Sequence, residues 1–410
     1  MRRWSLVLVS IVMVFAASAA MTHAAQSAGS SQGATIRTLP VGPASWSTLG
    51  GSIFGVDGQG AVYFFGGSCG AKPVSCWCDA LRQRPGERYP TVIAGHAPGS
   101  TLRGATPAQR MPLGGCTSIA VDRKGIVEML ASDLTHNHYG YGTPAIFRVD
   151  LRTGRYQERK SCASCEDNHI AGSLSRISFY SVKSAAFDTT GNVYLANDEH
   201  HVIQKLASND MVSVVMRPHC RSRYENGPLV EIRGCVECSN SDVAQRGDVF
   251  DCPERLAIGP RGGIYYIDAD DNTVRMVDGQ GHERVVAGGG ACRIAHLGHC
   301  AGTAQATKLW LRDASTDGPR SLALDARGNL YIALWSYLLQ VTPSGSVRVL
   351  AGNGQVILSA LHRVYPPHVA ATRVPITAQA VAVDPHGHVY FLDDTGAVRE
   401  VVPRDDGGTR

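Results

Sequence analysis

The chain has 410 residues, of which 18% are charged, and it carries 45 glycines, 12 cysteines and a formal net charge of +4 at neutral pH. That length suits two ordinary domains or one large repeat domain. Abundant glycine with few charges excludes a disordered or coiled-coil chain, and the small net charge is far from the footprint of a nucleic-acid binder.

Residues 1–24 read as an export signal. Arg2 and Arg3 form a positive start, Trp4 to Ala17 is apolar except for Ser5 and Ser10, and Ala17-Ser18-Ala19 and Thr22-His23-Ala24 are candidate cleavage sites. An uncleaved anchor is disfavoured because the apolar core is short for a span. The mature chain is expected outside the cytosol, periplasmic or extracellular, as a monomer with no membrane contact after cleavage. Twelve cysteines in that setting favour disulfides over free thiols.

One pattern then recurs six times: an apolar strand ends in Asp, two residues pass, Gly follows, and an apolar-aromatic strand begins. The copies are Ile53 to Asp57 with Gly60 and Tyr63; Ile119 to Asp122 with Gly125; Ala186 to Asp188 with Gly191 and Tyr194; Leu256 to Gly259 with Gly262 and Tyr265; Leu322 to Asp325 with Gly328 and Tyr331; and Val381 to Asp384 with Gly387 and Tyr390. Asp at a turn start and Gly where φ must be positive make each a hairpin. Gly259 replaces Asp in the fourth copy, and Glu128 replaces Tyr in the second.

Several copies continue into a third strand, a Gly-bearing turn and a fourth strand ending in Ala-Gly. Val274 to Val277, the turn at Asp278-Gly279-Gln280-Gly281 and Arg284 to Gly288 form the clearest case, and Leu338 to Gly352 the next. Four antiparallel strands per repeat make a propeller blade, an arrangement that leaves few exposed edges.

These residues resemble the NHL repeat family. Thr91 to Gly95, Val285 to Gly290 and Val349 to Gly354 look like its blade-ending motif, and Ala105-Thr106, Ala306-Thr307 and Ala371-Thr372 look like its inter-blade segment. The resemblance implies an all-β, six-bladed propeller over 35–403, followed by a tail at 404–410. It does not select a function, because similar propellers include binding modules, lyases and lactonases. The last copy offers three strands, so Thr35 to Gly42 is expected to pair beside Val398 to Val402 and close the ring.

Strand direction sorts the insertions. The Asp-x-x-Gly turns lie on one face; second-to-third loops and inter-blade linkers lie on the other, called the top. The repeat marks stand 59 to 71 residues apart, more than the roughly 40 to 50 of a bare blade. The excess is expected in top-face segments at 66–89, 136–143, 161–181, 218–252, 291–317 and 355–378, and long loops on a rigid scaffold are where binding resides.

All cysteines fall there or nearby, in even groups: Cys69, Cys76, Cys78 and Cys116; Cys162 and Cys165; Cys220, Cys235, Cys238 and Cys252; Cys292 and Cys300. Local pairing within groups is expected, with connectivity open in the groups of four. Zinc is the alternative, through the two Cys-x-x-Cys pairs or Cys292, His296, His299 and Cys300, but it suits an oxidising compartment poorly.

The residue five before each mark is expected to open the innermost strand and face the channel. It is polar in every blade: Ser52, Thr117, Lys183, Glu254, Arg320 and Gln379. A cation–anion–cation cluster of Lys183, Glu254 and Arg320 serves equally as a structural ion-pair set or as a site. It does not suit the divalent cation of propeller lactonases, since calcium takes six to eight oxygens. Asp268, Asp270 and Asp271 are a weaker calcium option. His200, His201, His219, His296, His299 and His368 are on the top face, but none is at the ring position. Two functions remain. One is non-enzymatic top-face binding of a protein, glycan or small anionic ligand, without a cofactor. The other is a propeller hydrolase or lyase with Glu254 as base and Lys183 or Arg320 holding an oxyanion.

Overall fold

The computed structural model describes residues 34–39, 54–69, 76–87, 89–95, 104–122, 125–133, 143–162, 169–179, 182–197, 200–217, 220–223, 229–232, 253–269, 271–297, 305–312, 318–355, 365–366 and 368–402. The candidate signal, the tail, Ser52, Asp270, Cys165, Cys235, Cys238, Cys252 and Cys300 lie outside them, as do the side chains of Cys69, Cys76 and Cys220.

Six antiparallel blades form a propeller. Blade 1 is Gly55–Val56, Val62–Cys69, Cys76–Gln83 and Thr91–Ala94; blade 2 is Leu113–Val121, Ile126–Asp133, Thr143–Asp150 and Arg155–Lys160. Blade 3 is Val182–Phe187, Val193–Asn197, Val202–Leu206 and Met211–Met216, with Gly172–Ser173 added outside as a fifth strand. Blade 4 is Pro253–Ile258, Ile264–Asp268, Thr273–Val277 and Glu283–Ala287; blade 5 is Ser321–Leu324, Leu330–Leu334, Tyr337–Val341 and Val347–Ala351. Blade 6 is Ala380–Val383, Val389–Leu392 and Val398–Val402, completed by Thr35–Thr38 from the other end of the chain.

The closure is held at several levels. Ile36 pairs with Val401 in the ladder, and its side chain is buried among Val381, Phe391 and Val401. Arg37 pairs with Glu400, and the Leu39 N–H donates to Val398 O at 3.0 Å. Alternating side chains feed the two neighbouring spaces of each blade. Tyr63 and Phe65 face blade 2, whereas Val62 and Phe64 pack against Tyr390 and Leu392 of blade 6. Six apolar clusters among the described residues fill the six inter-blade spaces.

The turn ends repeat a local solution. Asp325 Oδ1 accepts the N–H groups of Arg327 and Asn329 at 2.9 and 2.8 Å, and Oδ2 accepts the Tyr331 hydroxyl at 3.1 Å. Asp57, Asp188 and Asp384 do the same with Tyr63, Tyr194 and Tyr390. Burial, then the carboxylate beside it, pushes the Tyr331 phenol up to about 12, and Tyr63 and Tyr390 are raised as well. In blade 4 a Cβ on Gly259 would sit 2.9 Å from the Tyr265 ring, so the ring fills the missing aspartate's place. In blade 2 burial raises the Glu128 carboxyl, Arg148 at 3.3 Å opposes the rise, and Asp122 adds to it.

Three expectations shift. The described part of the 66–89 segment is not a loop: it belongs to two paired eight-residue strands, Val62–Cys69 and Cys76–Gln83, followed by a turn at Arg84–Glu87. The 161–181 segment gives blade 3 its fifth strand. The first inter-blade turn is Ala108–Arg110 rather than Ala105-Thr106, because the Gly95 N–H donates to Ala108 O, as Gly288 does to Ala306 O and Gly352 to Ala371 O. These blade-ending glycines have φ of 81°, 89° and 92°. A Cβ on Gly95 would lie 2.6 Å from Cys78 O, which demands glycine.

Candidate ligand-binding mouth of the channel

The innermost strands begin irregularly, and the expected ring positions fall in those irregularities. Lys183 sits in a shift of register between Val182 and Ser184, Glu254 and Arg255 between Pro253 and Leu256, and Thr117 between Gly114 and Ser118. A bulge frees residues from the ladder and re-aims their side chains. Arg320 and Gln379 stand just before the first ladder pair, with their N–H groups on Ala333 O and Leu392 O at 2.9 and 2.8 Å.

One position further on, buried serines tie blade to blade. The Ala185 N–H donates to Ser118 Oγ at 2.8 Å, Leu256 to Ser184 at 3.1 Å, and Val381 to Ser321 at 3.2 Å. Blade 4 breaks this pattern with Arg255, whose Nη1 donates to Lys183 O at 3.3 Å. Burial lowers the Arg255 guanidinium from its ordinary value; Glu254 opposes that shift and Arg320 adds to it. Arg320 donates to Gln379 Oε1 at 3.0 Å and stacks on Trp335, 4.3 Å from the ring centroid. The Trp335 indole nitrogen is buried and has no hydrogen-bond partner among the described residues.

Arg255 thus joins blade 4 to Lys183 of blade 3, Arg320 joins blade 5 to Gln379 of blade 6, and Arg255 feels the charges of both Glu254 and Arg320. Lys183 is exposed and the others half-buried. Thr117 stays apart, its hydroxyl donating to Gly115 O at 3.1 Å. Sequence reasoning missed Arg255 and Trp335. The signal for Arg255 was its place in register with Ser118, Ser184 and Ser321; Trp335 carried none, because the repeat does not extend into that turn.

The other candidates lie elsewhere. Asp268 and Asp271 converge on Arg275 at 2.9 and 2.8 Å, with Glu283 also on it at 2.7 Å, so a guanidinium occupies the place proposed for calcium. Cys78 and Cys116 form a disulfide joining blade 1 to blade 2, inside the first expected group. Cys162 and Cys292 are also disulfide-bonded and therefore not thiolate ligands. No helix among the described residues is long and apolar enough to cross a membrane.

No protein-family model and no curated protein matches the chain. Among solved structures, the chain is similar to a protein of unknown function from Bacteroides thetaiotaomicron VPI-5482, with 14% identity and a TM-score of 0.51 over 90% of this chain and 76% of that one. An auxiliary nutrient binding protein from Bacteroides ovatus ATCC 8483 aligns with 14% identity and a TM-score of 0.49 over 91% and 77%. A streptogramin B lyase aligns with 8% identity and a TM-score of 0.41 over 92% and 100%. At such identities the first of these likenesses speaks to the fold alone.

Proposed function

We propose that this protein is an exported, disulfide-stabilised propeller of the NHL type whose top face binds a ligand through an anionic group at the channel mouth. The ligand is a small molecule, a glycan or an exposed group of a protein. The observation that carries this reading is Arg255, which donates to the Lys183 carbonyl and lies within electrostatic reach of both Glu254 and Arg320, so that cations outnumber carboxylates among the described residues there. A guanidinium is weakly hydrated and offers a paired donor fork to an oxyanion, and its partial desolvation at Arg255 favours such a guest. A unit positive charge would instead be repelled by each of these cations by about 3 kcal/mol at ~6 Å and an effective dielectric of ~20, and a divalent metal by about twice that.

The test is a calorimetric and thermal-shift panel of sugar acids, amino acids and sulfated or carboxylated glycans, on wild type and Arg320→Gln. An anionic ligand weakened by about tenfold or more in the variant is expected, the size of a lost charged hydrogen bond. A hit list of neutral ligands, or equal affinity for both proteins, removes the proposal. A lyase or hydrolase is the second reading, favoured by Glu254 standing beside two guanidinium groups as a base beside oxyanion holders. Turnover of lactone or lyase substrates that survives Glu254→Gln would discard it.

A further inference from the structure

We infer that the turn-bearing face, opposite the mouth, holds a second site: a groove between blades 6, 1 and 2 that takes a small oxyanion, carboxylate or phosphate, through Arg82. The groove encloses about 800 Å³, within the range of small-molecule sites. Its walls come from turns of three blades that are distant in sequence. Gln59, Arg82 and Arg84 line it from blade 1, Asp122 and Arg152 from blade 2, and His386 from blade 6.

The charges in the groove are unequally engaged. Asp57, at its edge, has its oxygens taken by the N–H groups of Gln59 and Ala61 and by the Tyr63 hydroxyl. The Asp122 carboxylate accepts the Ile126 N–H at 2.8 Å. Arg84 has Glu87 at 3.6 Å and Arg152 has Asp150 at 3.7 Å, both loose pairs at the surface, which contribute little. Arg82 differs. It is half-buried, its Nε is shielded from solvent, and among the described residues its side chain makes no hydrogen bond or ion pair. Buried donors in native proteins are matched, and a guanidinium flanked by two further arginines in a concave site is matched by an oxyanion. This site is independent of the mouth cluster, since none of its residues belongs to that cluster.

Calorimetry with inorganic phosphate and with glucuronate, carried out in the Arg320→Gln background so that the mouth is disabled, tests it. One of the two anions is expected to bind, more weakly as salt rises. Arg82→Gln is expected to lose about tenfold in affinity, and Arg82→Lys part of that, since the charge stays while the fork is lost. The thermal midpoint of each variant should stay near that of its parent. Binding by neither anion, or an affinity that the Arg82→Gln change leaves equal to its parent's, overturns the proposal. Should Arg82→Gln fail to fold, Arg152→Ser carries the test, because that side chain is 84% exposed. A loss of about threefold is expected there, and an unchanged affinity would overturn the proposal.

Discussion

The two ends of each innermost strand obey different rules. At the turn end, four blades repeat the same arrangement, an aspartate accepting two backbone N–H groups and a tyrosine hydroxyl. At the mouth end the five described positions hold five different polar residues, Thr117, Lys183, Glu254, Arg320 and Gln379. An end whose polar groups satisfy one another within a single turn needs no neighbour and is free to repeat. An end whose side chains reach across blades, as Arg255 and Arg320 do, takes its identity from what it meets there.

The closing strand belongs to neither end and sustains both. Ile36 is 4% exposed, so Ile36→Asp should cost roughly 4 kcal/mol or more, read as a collapsed thermal midpoint. Survival with a normal midpoint would mean the ring does not depend on its closure. Removing the bridge with Cys78→Ser and Cys116→Ser, 38 residues apart, should cost about 3–4 kcal/mol by chain entropy, measured by urea unfolding.

Asp325→Ala strands two N–H groups and a phenol and should cost about 2–3 kcal/mol. The tyrosine partners give this end a pH signature. The Tyr331 phenol lies near 12 in the folded chain against an ordinary value of 10.0. A raised acid keeps its proton in the folded state while the unfolded state ionises, so its contribution is complete below 10 and lost as pH rises towards 12. The phenolate absorbance of Tyr331, read as the difference between wild type and Tyr331→Phe, should therefore appear together with unfolding rather than before it.

The smallest effect on stability belongs to the mouth. Arg255→Ser restores the serine found in blades 2, 3 and 5, and should change stability by about 1 kcal/mol or less while removing a cation from the cluster. A large destabilisation would mean that Arg255 holds the blades together and leave the contrast between the ends without support.

What could be read beforehand follows the same division. The Asp-x-x-Gly hairpins and the missing fourth strand of blade 6 are local features, and both were legible in the residues. The places of Lys183, Glu254, Arg320 and Gln379 at the starts of the innermost strands were legible by counting back from each turn. Arg255 was hidden one position further on, where a bulge places two residues outside the ladder. The groove at Arg82 was hidden more deeply, because its walls come from turns more than 300 residues apart, Gln59 and His386 among them. The segment 66–89 looked like a loop because length alone does not separate an insertion from a lengthened hairpin.

Whether the mouth cluster recognises negative charge is decided by one titration. The strongest anionic ligand from the panel is measured by calorimetry against wild type and Arg255→Ser at matched stability. An affinity loss of about tenfold is expected in the variant, with a smaller salt dependence because one cation is gone. Equal affinities with equal salt dependence would contradict such recognition.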